Sequence, residues 1–306
     1  MPGRRVRRVA GIAGGLLILA LAGAGAVAHR FANDRDPPNP AQPPPDLLRL
    51  FSDTRPVRIT TTTPSWTKVE ETVTVDRLRT DLTVWRRMHF GDWDRSPHPF
   101  REIGLAAMLR AYAPVIFDRS AWRRMTASDW DDVPQPIRMM AFLRMIWNWA
   151  RVERLGREFD LQPDHLAQTV AAIVMAESWF EHRAVNENPW GNRDLGLAQC
   201  SDYCREELVR MAQEGVISFL PATRHYFDPW VATRIATVWF ERELLHAGGD
   251  VELAIRAYHR GPDQAMDGLG DAYLARVLSL RERYIRTQRT SPTWEYLTEE
   301  IRRRSS

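Results

Sequence analysis

The spacing of apolar residues changes along the chain and predicts mostly helices. Between Val57 and Val75, Thr and Val alternate with charged residues around Pro64, which predicts one or two strands. Beyond Asp76 the apolar residues recur at helical spacing. This pattern predicts helices at 76–88, 99–112, 136–158, 163–181, 200–214, 229–247, 250–259, 271–286 and 292–304. The expected fold class is therefore mainly α, with a minor β element in an N-terminal extension.

The first 46 residues have the pattern of an export segment followed by a spacer. Four arginines lie in residues 1–8, and residues 9–28 form an uncharged apolar run. This run ends in Ala-Val-Ala, which fits a cleavage site, but it is also long enough to span a bilayer uncleaved. A signal peptide and a membrane anchor (1–28) both remain open, and both predict a location in the periplasm or cell envelope. Residues 29–46 are rich in proline and are expected to be a linker without a core.

The remaining chain divides into a region of undefined role and a helical domain. Residues 47–135 carry the predicted strands and no motif that indicates a function. Residues 136–306 contain most of the predicted helices and all of the candidate chemistry described below. The segment Ile137–Trp149 is apolar on nearly every side, which is typical of a central buried helix.

Composition and charge exclude several classes of protein. With 44% hydrophobic and 26% charged residues in 306, the chain is neither collagen-like, coiled-coil nor mainly disordered. Its net charge is +3, but residues 1–28 hold four arginines and no acid, so the rest carries −1. No nucleic-acid partner is expected from such a balance. There is no Gly-rich phosphate loop and no metal-ligand spacing among the histidines and the two cysteines, so neither cofactor nor metal is expected.

The helix at 163–181 carries the first candidate for catalysis. Pro163 and Asp164 suit its first turn, and Glu177 lies near its other end. A carboxylate there faces the negative end of the helix dipole and has Trp179 and Phe180 as neighbours. Both effects raise its pKa toward the value that a general acid needs near neutral pH. For an isolated glutamate, a solvated position on the helix surface would be the ordinary interpretation.

Two further motifs change that interpretation. Glu177–Phe180 reads E-S-x-F, Gly196–Gln199 reads G-L-x-Q, and Ala257–Pro262 reads A-Y-x-x-G-P. In this order and spacing, over about residues 140–286, they resemble the soluble lytic transglycosylase (SLT) type of lysozyme-like domain. The resemblance implies a lysozyme-like helical fold and activity on the glycan strands of peptidoglycan.

The resemblance also assigns expected roles to individual residues. It implies that Glu177 is a single catalytic acid/base that cleaves the MurNAc–GlcNAc β-1,4 bond and leaves 1,6-anhydro-MurNAc ends. Ser178 follows the acid in the motif, Asn186 lies where a small polar residue is usual, and Gln199 matches the glutamine beside the sugar subsites. Tyr258 matches the tyrosine that lines the cleft near the acid.

The sequence departs from the family pattern in several places, and two of these departures bear on function. His259 stands where the family generally has Asn, which puts substrate positioning in question and keeps open a non-catalytic peptidoglycan-binding protein. Asp194 adds a carboxylate to the Gly-Leu turn. It is either a turn-capping residue or the second carboxylate of a hydrolase of the goose-type lysozyme kind, since glycoside hydrolases usually use two.

Other conspicuous residues receive structural interpretations. Most tryptophans are expected in the core, with Trp179 and Trp190 the best candidates for the cleft. Glu181 is expected to face solvent, although as a like charge it would raise the pKa of Glu177. Cys200 and Cys204 are one helical turn apart, and both a local disulfide and two buried thiols remain open.

Overall fold

A computed structural model describes most of the helical part of the chain and portions of the region before it. The residues described are 56–62, 68–74, 77, 82–86, 104, 107–108, 111–112, 114–187 and 191–286. The predicted signal or anchor (1–28), the predicted linker (29–46) and the predicted helix at 292–304 lie outside these ranges. Within the ranges described, none of the helices combines the length and apolarity needed to cross a bilayer.

The strands predicted between Val57 and Val75 are confirmed as one hairpin. Strand β1 runs from Pro56 to Thr62 and strand β2 from Lys68 to Thr74. They pair antiparallel along their whole length, with Pro56 opposite Thr74. The first described helix after this hairpin, α1, is Leu82–Arg86 and lies inside the helix predicted at 76–88.

Two short helices that the periodicity did not predict precede the central helix. They are α2, Arg119–Arg124, and α3, Ala127–Asp131. Asp118 caps α2, and Thr126 begins α3 in a reciprocal capping box with Asp129. Helices of five or six residues are too short to show a hydrophobic period, which is why the pattern of apolar residues did not predict them.

Helix α4, Gln135–Val152, forms the centre of the core and is buried on most sides, which confirms the prediction made from its apolar pattern. It was predicted to reach residue 158. It ends earlier because Arg154 and Gly156 adopt left-handed backbone conformations, with φ of 55° and 76°. Helix α4 packs against α5, Pro163–Ser178, and against α7, Pro229–His246.

The remaining helices surround this centre. They are α6 Asp202–Gln213, α8 Val251–Arg260, α9 Pro262–Met266 and α10 Asp271–Leu280, followed by a π-helical turn at Arg281–Arg286. Helix α9 was not predicted. Helix α10 packs against α5 and α8, and this contact brings the C-terminal part of the domain to the end of α5.

A second hairpin lies where only a loop was expected. Strands β3, Val185–Glu187, and β4, Arg193–Leu195, pair antiparallel, with Asn186 opposite Asp194. Strands of three residues are too short to show a period of two. The predicted fold class, mainly α with a minor β element, is confirmed.

Candidate active site

Glu177 is the second-last residue of α5, and its carboxyl group is largely enclosed by protein. The Tyr273 hydroxyl donates a hydrogen bond of 2.5 Å to Glu177 Oε1. Burial raises the pKa of Glu177 to about 7; the Tyr273 hydrogen bond and the Arg276 charge oppose this rise, and the Asp194 charge adds to it. Among the residues described, no cationic side chain lies at ion-pair distance from Glu177. The raised pKa expected from the sequence is therefore present, with burial as its main cause.

Tyr273 is the residue of this site that sequence reasoning missed. It lies on α10, 96 positions beyond Glu177, and reaches the acid because α10 packs on α5. Burial and the nearby Glu177 raise the pKa of Tyr273 well above its ordinary value, so its hydroxyl stays a donor. Its ring stacks on His259, with centroids 4.3 Å apart and planes 5° apart. In the sequence, Tyr273 is only one member of an apolar helical stripe, a pattern typical of core residues.

The Gly-Leu turn lies beside the end of α5 and depends on glycine. Gly196 has φ of 68°, and a Cβ atom there would lie 1.7 Å from the carbonyl oxygen of Tyr226. The Ser178 hydroxyl lies 3.0 Å from the Leu197 carbonyl oxygen and 3.1 Å from that of Val174, so it links the turn to α5.

Two more motif residues bind the backbone of the same turn. Gln199, itself left-handed with φ of 46°, donates from Nε2 to the Gly196 carbonyl at 2.8 Å. The Tyr258 hydroxyl donates to the Ala198 carbonyl at 3.1 Å, and the charge of Glu177 contributes to the raised pKa of Tyr258. Ser178, Gln199 and Tyr258 are thus brought together as the support of one turn next to the acid. Their contact with sugars remains a prediction.

Asn186 and Asp194 face each other across the β3–β4 hairpin. Asn186 is exposed, whereas Asp194 is partly buried. Asp194 lies in strand β4, directly before the turn at Gly196–Gln199, and both of its predicted roles, in the turn and in catalysis, stay predictions. Burial raises the pKa of Asp194 and the Arg205 charge opposes this, while Asp194 in turn raises the pKa of Glu177. Asp194 is therefore the like charge that contributes to the raised pKa of Glu177.

Glu181 does not have the position expected for it. Its carboxylate pairs with Arg138 at 3.4 Å and its side chain is 28% exposed, so it neither faces solvent freely nor contributes to the pKa of Glu177. Trp179, which directly follows α5, is 36% exposed, as a cleft residue would be. Trp190, the other tryptophan predicted for the cleft, lies outside the described residues.

Cys200 and Cys204 form a disulfide, which decides between the two alternatives left by the sequence. Ser201, between them, caps α6 by accepting a hydrogen bond from the Cys204 amide at 3.2 Å. Cys200 also pairs with Leu195 through a β-bridge. The bond thus joins the first turn of α6 to the residue that follows Gln199.

A second group of carboxylates lies between α6 and α7 and is paired with arginines. Glu207 contacts Arg210 within α6 and Arg242 of α7, the latter at 3.0 Å. These arginines lower the pKa of Glu207 to about 2. Arg242 also binds Glu243 at 2.5 Å, but Glu243 is fully buried and its pKa is raised. Across the part of the chain that is described, no group of His, Cys, Asp and Glu has a geometry suited to a metal ion.

Comparisons with known proteins agree with the motifs. Residues 157–274 match the sequence model of the transglycosylase SLT domain, so the predicted SLT resemblance is confirmed for that part of the chain. No curated protein sequence matches the chain. Among solved structures, an inactive mutant of the lytic transglycosylase Slt from Pseudomonas aeruginosa aligns at 18% identity and a TM-score of 0.37. The alignment covers 89% of this chain but only 42% of that protein, and at this TM-score it supports no further conclusion.

Proposed function

We propose, from the transglycosylase SLT domain that residues 157–274 form, that the chain is a murein lytic transglycosylase with Glu177 as its single acid/base. The observation that carries this proposal is the state of Glu177. It is a largely buried carboxyl group with a pKa of about 7, one hydrogen-bond donor and no ion-pair partner among the described residues. Such a group holds a proton near neutral pH and can release it to a substrate oxygen.

The first step uses Glu177 as an acid. Its proton passes to the oxygen that links MurNAc C1 to GlcNAc, and the bond between C1 and that oxygen breaks. Because the Tyr273 hydroxyl donates to Oε1, the acidic proton sits on the other oxygen, Oε2. The same hydrogen bond then stabilises the carboxylate that the transfer leaves behind.

The second step uses the new carboxylate as a base. It removes the proton from the 6-hydroxyl of the same muramic acid residue, whose oxygen attacks C1 and closes the 1,6-anhydro ring. No water enters, and Glu177 ends protonated as it began. An intramolecular hydroxyl is favoured over water because its effective concentration is high.

The surrounding elements support this role by position. The turn at Gly196–Gln199, held by Ser178 and Tyr258, lies beside the acid, and Asn186 and Asp194 lie on the adjacent hairpin. We propose these residues as the walls of the glycan-binding cleft. The export segment predicted at 1–28 supports a periplasmic or envelope location, where peptidoglycan strands are accessible.

A hydrolytic lysozyme is the second candidate, favoured by one observation. Asp194 is partly buried and its charge acts on Glu177, so a second carboxylate is available to activate water. The two candidates differ in their products, since hydrolysis leaves reducing ends that are heavier by one water.

Mass spectrometry of muropeptides released from purified murein by the chain from residue 29 onward tests the proposal. We expect 1,6-anhydro ends as the main product. Reducing-end sugars as the main product would assign the chain to the hydrolases and Asp194 to catalysis. Binding to murein with no released product would assign it to non-catalytic peptidoglycan-binding proteins.

A further inference from the structure

The backbone directly after Glu177 is strained. Trp179 and Phe180 are consecutive non-glycine residues with φ of 52° and 59°, in the left-handed region. This conformation crowds the Cβ atom of a non-glycine residue, and such strain persists only where the surroundings hold it. The turn that ends α5 therefore needs external contacts, and its geometry sets where the last turn of α5, with Glu177, is placed.

The first of these contacts come from the start of α4. Gln135 Nε2 donates to the carbonyl oxygen of Trp179 at 3.2 Å. Arg138 holds the Glu181 carboxylate with both terminal nitrogens at 3.4 Å. The Phe180 side chain is fully buried between these two points of attachment.

His182 makes the most enclosed of the contacts. Its side chain is 0% exposed, and its Nδ1 lies 3.0 Å from Arg138 NH1. Arginine is only a donor, so Nδ1 accepts and the ring proton is on Nε2. Nε2 then donates toward the Ala127 carbonyl at 3.0 Å and the Asp131 carboxylate at 3.1 Å. Burial and the Arg138 charge lower the pKa of His182, which keeps this neutral form.

Arg183 completes the set by binding α3. Its guanidinium contacts the Asp131 carboxylate through two nitrogens, at 2.8 and 2.6 Å, and lies 3.3 Å from the Ser128 hydroxyl. Each residue from Trp179 to Arg183 except the buried Phe180 is thus bonded to a residue between Ala127 and Arg138. All of these partners precede residue 157, where the match to the SLT domain begins.

We propose that residues 127–138, here called the platform, are positioning residues that hold the strained turn after α5 and thereby the orientation and enclosure of Glu177. The platform includes α3, which lies in the region 47–135 for which the sequence indicated no role. Its effect on turnover rests on the proposed function of Glu177, whereas its effect on the structure and titration of the turn does not.

The chain offers a matched pair of ion pairs for the test. Arg183 binds Asp131 through two nitrogens beside the turn, and Arg151 binds Asp164 through two nitrogens, at 2.9 and 2.8 Å, at the opposite end of α5. The four side chains are exposed to similar degrees. Arg183→Gln and Arg151→Gln therefore remove equivalent bonds that differ in their distance along α5 from Glu177.

Two measurements on these variants need no enzymatic activity. Amide hydrogen exchange of a peptide spanning residues 175–184 should become faster in Arg183→Gln and stay unchanged in Arg151→Gln. A carbon-13 NMR titration of Glu177 should show a pKa below that of wild type in Arg183→Gln, because a relaxed turn admits water to the carboxyl group. Equal exchange and equal Glu177 pKa in both variants would overturn the proposal, even if wild type cleaved no murein.

Steady-state kinetics of variants of the buried His182 provide a second test of the positioning role. We expect His182→Leu to lower kcat by about tenfold with KM unchanged, since a small misplacement of the acid affects the chemical step and not glycan binding. His182→Gln, whose amide can donate to the Ala127 carbonyl, should recover most of this loss. If His182→Leu does not fold, Arg183→Gln takes its place, with an expected smaller fall in kcat. A rise in KM at constant kcat, or equal losses for the Leu and Gln variants at matched folded fractions, would contradict a positioning role.

Discussion

Glu177 and Glu207 are both enclosed carboxylates of one helical domain, yet they have opposite environments. Glu207 contacts two arginines, and its pKa falls to about 2. Glu177 has a tyrosine hydroxyl and no ion-pair partner in the described chain, and its pKa rises to about 7. Burial raises the pKa of both carboxyl groups, and at Glu207 the two arginines outweigh this rise. The difference separates a carboxylate that is charged and paired with arginines from a carboxyl group that holds its proton near neutral pH.

Glu243 shows that one arginine does not always suffice. It is fully buried, binds Arg242 through Oε1, and its Oε2 has no hydrogen-bond partner among the described residues. Its pKa is raised because burial outweighs the single arginine. The direction of the pKa shift thus depends on how completely arginines compensate the charge of each buried carboxylate.

The largest effect is expected for Glu177→Gln. The amide keeps the shape of the acid and cannot donate the proton or act as the base, so turnover of purified murein should fall by about 10,000-fold, the upper end for general acid catalysis. Retention of a tenth of wild-type turnover would mean that Glu177 is not the acid.

The same variant should become more stable at about pH 8. The folded-state pKa of about 7 lies above the ordinary value of 4.5, so the stability contributed by protonated Glu177 is present below pH 4.5 and is lost as pH rises through 7. At about pH 8 the charged carboxylate therefore costs about 3 kcal/mol, which the amide removes. Urea denaturation at about pH 8 and about pH 4 checks this, with a gain for Glu177→Gln expected only at the higher pH.

Arg242→Met should have the opposite effects to Glu177→Gln, lowering the stability of the fold and leaving turnover per folded molecule unchanged. It leaves the buried carboxylates of Glu207 and Glu243 without their shared arginine, and removing one partner of a buried ion pair costs about 3–5 kcal/mol of the free energy of unfolding. Turnover per folded molecule should stay near wild type, because this cluster supplies no proton to the substrate. A fall in turnover that is not explained by the folded fraction would show that the two regions are coupled.

Tyr273→Phe should sharpen the comparison by removing the only hydrogen-bond donor of Glu177 among the described residues. The bond lowers the pKa of Glu177, so its loss should move the alkaline limb of the kcat/KM pH profile to higher pH. Turnover should fall by about tenfold to about a hundredfold, because a hydrogen bond to a charged group contributes about 1.5–3 kcal/mol and the carboxylate formed in the first step loses it. A shift of the limb to lower pH would contradict this assignment.

The smallest effect is expected for Asp194→Asn. Asp194 raises the pKa of Glu177, so the variant should move the alkaline limb to lower pH and change turnover by less than about tenfold. Circular dichroism at matched folded fractions provides the control. A loss equal to that of Glu177→Gln, with no change in melting temperature, would replace the single-carboxylate mechanism by a hydrolytic one.

The sequence predicted the parts of this comparison that are local in the chain. Glu177 was singled out from its place at the end of an amphipathic helix together with the two motifs that follow it, and α4 from a segment that is apolar on nearly every side. The turn at Gly196–Gln199 was found from its motif. These features depend on the spacing of residues or on short motifs, and both can be recognised in a single sequence.

The parts that were missed depend on contacts between distant segments. Tyr273 reaches Glu177 through helix packing, Arg138 reaches Glu181 across 43 positions, and the hairpin that holds Asp194 has strands too short to show a period. A single sequence contains no signal for such pairs, because each residue taken alone has an ordinary core or surface pattern. The arginine pairing of Glu207 was missed for the same reason, since Arg242 lies 35 positions away.

The most direct test of the central claim is a carbon-13 NMR titration of the glutamate carboxyl groups, with the Glu177 resonance assigned by its loss in Glu177→Gln. The account predicts that Glu177 titrates near pH 7 while Glu207 remains charged down to about pH 2. A Glu177 pKa at its ordinary value of 4.5 would contradict the claim that this site keeps its acid protonated by burial without an ion pair.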